Sequence, residues 1–332
     1  DGNSWSVCTA GHAEQTAAAL AEAITKLKAG QQQTFLIGMG HGTCTCQGAA
    51  FEYTFNVEDQ LAKEGVRDRA EVIYITNEAH LGDFGMDGMN FGTKAGVVPS
   101  QMFTESLFQE RGVKAILGAH IESVEPGVAH YEQLDGTKAE QRFDFAMLLP
   151  PFRGADLQAY DAQGQDVTDQ VFAPSGFMKV DADYNPKPYE EWQASDWPST
   201  YQSVKYDNVW AAGIAFAPPH QMSKPQKTPN GTIIAPAPPR TGMPSGVIGR
   251  AVAQTIAARI KHGAGGKVHT ASMAEMGAAC IASAGTGWKD GKVGTGKAML
   301  SWADACKLIG PNPIEVRGQR FPNYDGKPFH GS

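Results

Sequence analysis

The sequence predicts an α/β protein with a Rossmann-like dinucleotide-binding domain in its first half. Two short apolar runs, residues 35–37 and 71–76, have the β-branched and aromatic content of buried parallel strands. Residues 46–63 lie between them and have helical character, and glycines before residue 46 allow the tight turn that precedes this helix. A strand, a glycine turn, a helix and a second strand in this order indicate a βαβ unit.

The elements around this unit are predicted in chain order. Residues 8–28 are rich in Ala, Glu and Lys, with apolar residues at helical spacing, so they predict one amphipathic helix. Beyond residue 76 we expect a helix that closes at 106–111 and strands at 113–117, 129–134 and 143–149. The strand at 129–134 alternates polar and apolar residues, as in a solvent-edged hairpin, whereas the strand at 143–149 is buried and is stopped by two prolines.

The composition changes after Pro151 toward Pro, Gly, Asp and aromatic residues, and this change predicts a second folded part. Taken alone, the proline-rich stretch 218–244 is compatible with a flexible linker. Apolar residues recur at helical spacing over 245–262, directly after the stretch. We therefore expect the proline-rich stretch to wrap over a folded surface.

Charge and composition exclude several classes of function. The 332-residue chain has a net charge of −7 and no cluster of Lys and Arg, which argues against nucleic-acid binding. No apolar run has the length of a transmembrane helix and no signal-peptide pattern is present, so we expect a soluble or peripheral protein of the cytoplasm or periplasm. Five cysteines are an odd number for a disulfide framework and favour one functional pair.

Cys46 is the candidate reactive residue because of its place in the predicted βαβ unit. It falls in the first turn of the predicted helix, where the helix dipole lowers the pKa of a thiol and favours the thiolate. The alternative is a small buried hydrophobic residue at a helix start. His41, Cys44 and Cys46 together suggest a zinc or copper site, but a second ligand pair is missing, so we predict no metal site.

Separate segments of the chain resemble parts of one flavoprotein family. Residues 6–14 (SVCTAGHAE) resemble its connector into the second dinucleotide-binding domain, and residues 46–53 (CQGAAFEY) resemble its cysteine-led helix start. Residues 208–219 (NVWAAGIAFAPP) and 239–242 (PRTG) resemble the strand and the helix entry that hold its flavin. The family that these segments resemble is the sulfide:quinone oxidoreductase and flavocytochrome c sulfide dehydrogenase group, FAD enzymes of the pyridine nucleotide-disulfide oxidoreductase superfamily.

The resemblance implies a fold of the two-dinucleotide-binding-domain flavoprotein type. Its divisions would be a connector helix at 1–30, a second Rossmann-like domain of the NADH-domain type at 31–150, the returning part of an FAD-binding domain at 151–265 and a C-terminal region at 266–332. Chains of this family normally start with a strand and a glycine-rich turn that bind the FAD pyrophosphate. Nothing before Thr34 resembles that segment, so we expect it to be missing here.

The resemblance also implies a redox site. Cys46 and Cys280 match a redox-active pair that attacks sulfide, holds the sulfur as a persulfide and passes two electrons to FAD. Cys44 is the candidate substitute for a third cysteine that many members carry. The residues that match the family's flavin site are Gly213, Ile214, Arg240, Thr241 and Gly242.

The expected partners follow from the same resemblance. Sulfide is the expected substrate, and either a quinone, with peripheral membrane contact, or cytochrome c is the expected electron acceptor. Ile281 and Met243 stand where quinone-using members carry aromatic residues, and this difference favours a soluble acceptor. We expect the chain to form a homo-oligomer.

Two other functions stay open at this point. In the first, the glycine turn binds NAD(P)H with Glu78 on the ribose, although Cys44 and Cys46 stand near the pyrophosphate position, where small residues are usual. In the second, a degenerate, non-catalytic Rossmann module binds a protein partner through its proline-rich stretch and through exposed aromatic residues such as Trp192 and Trp197.

Overall fold

The structure, a computed structural model, describes residues 2–40, 42, 44, 46–88, 90–93, 96–273, 279–283, 297–301, 315–316 and 319–320. The α-helices are α1 (Ala10–Lys28), α2 (Gln47–Lys63), α3 (Ser100–Arg111), α4 (Thr168–Val171) and α5 (Gly242–His262). The strands are β1 (Gln33–Met39), β2 (Ala70–Ile75), β3 (Asn90–Thr93), β4 (Gly96–Pro99), β5 (Lys114–Ile116), β6 (His120–Glu125), β7 (Val128–Glu132), β8 (Lys138–Arg142), β9 (Phe145–Leu149), β10 (Gln226–Lys227), β11 (Ile233–Ile234), β12 (Ala279–Ser283), β13 (Lys297–Ser301), β14 (Glu315–Val316) and β15 (Gln319–Arg320). Short 3₁₀-helices lie at Arg67–Arg69, Tyr189–Glu191, Ala194–Asp196 and Gly263–Gly265.

The chain divides into two compact units. The first comprises Asp1–Pro151, Ser223–Pro239 and Cys280–Ser301. The second comprises Phe152–Met222, Arg240–Ala279 and Trp302–Ser332. The family-based division of the chain into four parts stays a prediction. Within the described ranges, none of the helices combines the length and the apolar character that crossing a membrane requires.

A parallel sheet forms the centre of the first unit. Its strands lie in the order β5-β2-β1-β9, and each neighbouring pair is parallel. β1 can lie in the middle because its apolar side chains are covered on both faces, and Phe35, Leu36 and Ile37 are fully buried. The crossover from β1 through α2 to β2 is the βαβ unit that the sequence predicts, and the α/β Rossmann-like fold class is confirmed.

An antiparallel meander, β6-β7-β8, packs against this sheet. The shared core consists of Leu36, Ile73, Ile75, Ala119, Ile121, Ala129, Tyr131, Ala146 and Leu148. β7 pairs with β6 on one side and with β8 on the other. The prediction of a hairpin strand at 129–134 is confirmed by the antiparallel pairing of β7, but its predicted edge position is wrong, because β7 is the central strand of the meander. Its alternation separates a core face from a more exposed face.

Aromatic rings hold α2 and α3 against β2. Phe51 and Phe55 lie one turn apart on α2, with ring centroids 4.8 Å apart. The ring of Phe108 on α3 lies 5.2 Å from Phe55 and 5.5 Å from Tyr74 of β2, both in edge-to-face geometry. These contacts fix the position of α2, and the first residues of α2 form part of the candidate site.

A buried ion pair also ties α2 to α3. The carboxylate of Glu58 is inaccessible to water and accepts hydrogen bonds from Arg111 Nη1 at 2.9 Å and from Arg67 Nε at 3.3 Å. The Arg67 guanidinium also donates to the carbonyls of Ala70 and Gly112. Burial raises the pKa of Glu58, and the two guanidinium groups oppose that rise.

Arg111→Ala is expected to lower the free energy of unfolding by about 3–5 kcal/mol, because it leaves the Glu58 carboxylate buried without its closer cation. Urea denaturation at equilibrium measures the change. Arg142→Ala is the matched control, since the Arg142 side chain is 81% exposed and its ion-pair partner Glu140 lies 3.9 Å away. The control should change stability by less than about 0.5 kcal/mol. Equal losses in the two variants would contradict a structural role for the buried pair.

The segment 223–239 lies on the first unit and is fixed there by polar contacts. Asn230 Nδ2 donates to a carboxylate oxygen of Glu132 at 3.1 Å. The Ala235 carbonyl accepts a hydrogen bond from Asn77 Nδ2 at 3.0 Å. The expectation that the proline-rich stretch covers a folded surface is confirmed for this segment.

The second unit is built from α5 and a large amount of irregular chain. α5 buries Ile248, Ala251 and Val252 on one face. The segment 208–219, which resembles a strand of the flavin site, forms isolated bridges instead, and one of them joins Phe216 to Met178.

Tryptophan side chains form part of the interior of this unit. Trp192 is 4% exposed and Trp197 is 2% exposed. The ring of His220 lies 3.5 Å from the ring of Trp192 and 5.2 Å from that of Trp197. The prediction that these tryptophans are exposed is therefore wrong, and they are not available as contacts for a protein partner.

Candidate active site

The predicted glycine corner lies where β1 and β9 end. The Gly40 N–H donates to the carbonyl of Leu149, the last residue of β9, at 2.9 Å. A Cβ atom at position 40 would lie 2.5 Å from that oxygen, so this close approach requires glycine. In a Rossmann fold, ligands bind at the carboxyl ends of strands where the strand order reverses, which here is between β1 and β9. The corner therefore has the position of a ligand site.

Cys44 is packed inside this corner. Its Sγ donates to the Leu149 carbonyl at 3.0 Å, and the residue is 1% exposed. Burial raises the pKa of the Cys44 thiol to about 11, so the thiol stays protonated near neutral pH. A thiolate is the nucleophilic form of cysteine. These surroundings favour a packing role for Cys44, and its predicted catalytic role stays a prediction.

Cys46 is the N-cap of α2. The helix begins at Gln47, so Cys46 lies one position before the first helical turn in which the sequence places it, with an extended backbone (φ −169°, ψ 121°). The side chain is 8% exposed and makes no capping hydrogen bond to the helix. A Cβ at Gly48 would lie 3.2 Å from Cys46 Sγ, so glycine at this position leaves room for the sulfur. The amino end of a helix carries partial positive charge, which favours an anionic sulfur.

Buried amide groups continue from Cys46 toward the end of β2. Gln47 Nε2 donates to Asn77 Oδ1 at 3.2 Å. The Gln47 Oε1 atom is buried and has no hydrogen-bond partner among the residues that the structure describes. Such an acceptor is costly unless water or a ligand reaches it. The motif at 46–53 contains a signal for Gln47, which directly follows Cys46, whereas nothing local in the sequence points to Asn77.

Glu78 follows β2 but is enclosed by the first unit. It is 1% exposed, and its carboxylate accepts hydrogen bonds from the Tyr74 hydroxyl at 3.1 Å, the Thr76 hydroxyl at 2.8 Å and the Phe84 N–H at 2.7 Å. Burial raises the pKa of Glu78 to about 7, and the charge of Asp83 acts in the same direction. A ribose needs an accessible carboxylate, so the predicted contact of Glu78 with NAD(P)H does not fit this geometry.

The second predicted redox cysteine lies in a strand. Cys280 belongs to β12, which pairs with β13, and its side chain lies outside the described part of the chain. His41 also lies outside the described residues. The pairing of Cys46 with Cys280 therefore stays a prediction, and the soft-metal site stays an alternative to it.

The two segments that resemble a flavin site meet in the second unit. Arg240 Nη1 donates to the carbonyl of Ile214 at 2.6 Å. Gly213 has a left-handed backbone with φ of +64°, and a Cβ at this position would lie 3.4 Å from the Cβ of Ser245 on α5. Residues that are distant in the sequence are thus neighbours here.

The Arg240 guanidinium is surrounded by protein groups. It lies 3.9 Å from the ring centroid of Phe177 and within 5.9 Å of the rings of Phe152 and Phe216. Burial lowers the pKa of Arg240 to about 10, so the group stays positively charged near neutral pH. Its Nη1 donates within the protein, so Arg240 positions the Ile214 segment, and the predicted contact of Arg240 with a flavin stays a prediction.

Thr241 and Gly242 form the amino end of α5, where a hydroxyl and backbone N–H groups are available for hydrogen bonds to a ligand. Thr241 is the N-cap without a side-chain capping bond, and its Oγ1 is buried with no hydrogen-bond partner among the described residues. The first N–H groups of a helix lack partners within the helix and favour negative charge. A cavity of about 470 Å³ in the same unit is lined in part by Ile214, Phe177 and Trp210. The orphaned hydroxyl and the helix end fit the polar edge of a flavin ring.

Comparison with known proteins identifies relatives of the chain. It is 28% identical, over 260 residues, to the sulfide-quinone reductase of Aquifex aeolicus (strain VF5), a match that covers 78% of this chain and 50% of that protein. The X-ray structure of the sulfide:quinone oxidoreductase from the hyperthermophilic bacterium Aquifex aeolicus matches with a TM-score of 0.62 and 26% identity, over 86% of this chain and 55% of that chain. The chain thus spans about half the length of the relatives that it matches.

More distant matches are weak. The structure of NDH2 from Plasmodium falciparum in complex with NADH matches with 13% identity and a TM-score of 0.41, over 65% of this chain and 40% of that chain. A match at this level does not indicate which cofactor or substrate this chain binds. No protein-family profile matches the chain.

Proposed function

We propose that this chain, a relative of the sulfide:quinone oxidoreductase family, is part of a flavin-dependent oxidoreductase that oxidises sulfide at Cys46. The observation that carries the proposal is the position of Cys46 as the N-cap of α2, at the carboxyl edge of the parallel sheet. Rossmann sheets bind ligands at this edge, and the N-cap of α2 lies there. The identity to a sulfide-quinone reductase supports sulfide as the sulfur compound.

The sulfur chemistry requires a partner for Cys46, and Cys280 is the proposed partner. In the disulfide form of the pair, hydrosulfide attacks the sulfur of Cys46, so one S–S bond forms while the bond between Cys46 and Cys280 breaks. Cys46 then carries a persulfide, and Cys280 leaves as a thiolate that keeps the electron pair of the broken bond. The low exposure of Cys46, 8%, limits access of water and of other thiols to the persulfide.

FAD is the proposed cofactor, and residues of the second unit are proposed to hold it. The Thr241 hydroxyl and the first N–H groups of α5, beginning at Gly242, would bind the polar edge of the ring. The left-handed Gly213 lets the backbone approach a ligand closely, and Arg240 positions Ile214 through its carbonyl. When bound, FAD supplies a two-electron acceptor.

A quinone is the proposed final electron acceptor, because both relatives are named for quinone as well as sulfide. Cytochrome c is the second candidate, because Ile281 and Met243 replace the aromatic residues expected in quinone-using members. The two acceptors are distinguished by adding each one separately to the sulfide-reduced protein. The acceptor that restores the oxidised flavin spectrum is the competent one.

The proposed function is tested by visible absorption of the chain after mixing with FAD, gel filtration and anaerobic titration with sulfide. We expect an oxidised-flavin band that stays with the protein and bleaches as sulfide is added. Thr241→Ala should lower the FAD retained, whereas Thr9→Ala, which alters the N-cap of α1 in the first unit, should not. Retained FAD that sulfide does not bleach would contradict sulfide as the substrate. A protein that retains no FAD at saturation would contradict the binding of FAD by this chain alone.

A further inference from the structure

The loop after β2 brings a histidine and two aspartates together, and the proposed sulfide chemistry uses none of them. One ring nitrogen of His80 and one carboxylate oxygen each of Asp83 and Asp87 all lie within 4.8 Å of one another. Ligands that are each about 2.1 Å from one metal ion lie about 3–4 Å apart. Small side-chain rotations would therefore bring the three groups to the spacing of ligands around one ion.

His80 provides an independent indication of a missing partner. Its Nδ1 atom is buried and has no hydrogen-bond partner in the part of the chain that the structure describes. Burial of a ring nitrogen removes its hydrogen bond to water, and this loss costs free energy when no other partner replaces the water. Ligation of a cation through Nδ1 would remove that cost, and neutral imidazole is a common metal ligand.

Asp83 is held in a fixed orientation by donors to one of its two oxygens. Its Oδ1 accepts hydrogen bonds from the Gly85 N–H at 2.8 Å, from the Asp87 N–H at 3.3 Å and from the Ser223 hydroxyl. A carboxylate has two oxygens, so contacts to Oδ1 are compatible with ligation of a metal through Oδ2, and such outer contacts are typical of carboxylates that ligate metals. Asp83 is 3% exposed, so a neighbouring cation would compensate its buried negative charge.

We propose that His80, Asp83 and Asp87 bind one divalent transition-metal cation, for which Zn²⁺ and Mn²⁺ are the fitting ions. One imidazole nitrogen with two carboxylates suits such ions, whereas Mg²⁺ and Ca²⁺ prefer sites made of oxygen alone. The two carboxylates also balance the double positive charge. The bound cation would hold the loop at 78–88 in one conformation.

The test is titration of the full chain, first stripped with a chelator, with Mn²⁺ while the electron paramagnetic resonance signal of free Mn²⁺ is followed. We expect one Mn²⁺ per chain, and displacement of this Mn²⁺ by Zn²⁺. His80→Gln and Asp87→Asn should each weaken Mn²⁺ binding by at least about tenfold. Asp68→Asn is the matched control, because Asp68 is exposed and lies outside this loop. The affinity of this variant for Mn²⁺ should equal that of the wild type.

Thermal unfolding gives a second readout that does not depend on flavin or sulfide. Saturating Mn²⁺ should raise the Tm of the wild type by about 2–4 °C or more, and should leave the Tm of Asp87→Asn unchanged. The proposal is overturned if the folded wild type binds no stoichiometric Mn²⁺, or if both ligand variants bind it as tightly as the wild type. Asp83 is left unchanged in these tests because its hydrogen bonds hold the loop itself.

Discussion

Gly38→Ala is expected to prevent stable folding of the first unit. Gly38 lies in β1 and pairs with Ile75 of β2, and a Cβ at this position would lie 1.8 Å from the Ile75 carbonyl oxygen. The clash is with backbone, so no side-chain rotation relieves it. β1 is also paired with β9 on its other side, and any shift of β1 would break that register. We expect the free energy of unfolding to fall by at least about 4 kcal/mol.

Urea denaturation followed by far-UV circular dichroism measures this loss. Gly11→Ala is the matched control, because Gly11 lies in α1 with no atom within 4 Å of a Cβ built there. Alanine is the better helix former, so the control should be neutral or gain up to about 1 kcal/mol. A Gly38→Ala protein with the stability of the wild type would contradict the close packing of β1 against β2.

The first unit follows from local sequence patterns. The strand at 35–37 and the helix at 46–63 correspond to β1 and α2, since an apolar run flanked by glycines and a helical repeat are both signals within a few residues. The βαβ order then favours the parallel pairing of β1 with β2, because a helical crossover returns the chain to the edge of the sheet at which β1 began. The helix boundary at Cys46 differs by one residue, because N-cap geometry depends on backbone angles that the pattern does not specify.

The errors arise where distant residues decide the environment. The central place of β7 depends on its pairing with both β6 and β8, and alternation along one strand cannot distinguish a middle strand from an edge strand. The burial of Trp192 depends on the ring of His220, which approaches from another part of the second unit. Composition indicates a folded second part of the chain but carries no information about which rings cover each other.

In the candidate site, too, local features can be predicted from the sequence and features that depend on distant residues cannot. Cys46 is identified by its position between a strand and a helix, which is a local property. The enclosure of Arg240 by Phe177 is not local, and neither is the burial that raises the pKa of the Cys44 thiol to about 11. His80 and Asp87 approach each other because the loop between them turns back on Asp83, through hydrogen bonds that the sequence pattern does not reveal.

Cys46→Ser is expected to lower the yield of persulfide on the protein by at least about a hundredfold, because a hydroxyl oxygen can neither form the disulfide nor accept the sulfur. The measurement is made on the oxidised chain, which is treated with sulfide, alkylated, digested and analysed by mass spectrometry. In the wild type, we expect one extra sulfur atom on the peptide that carries Cys46. The assay requires no flavin, so it tests the thiol chemistry separately from the binding of FAD.

Two other cysteine variants make the Cys46 result specific. Cys8→Ser removes an exposed thiol and should leave the yield of Cys46 persulfide unchanged. Cys44→Ser keeps a donor to the Leu149 carbonyl, and because the Cys44 thiol stays protonated, the yield should again stay close to that of the wild type. Loss of the persulfide in Cys44→Ser but not in Cys46→Ser would reverse the assignment. The reactive sulfur would then belong to Cys44, although its thiol is protonated, and not to Cys46 at the amino end of α2.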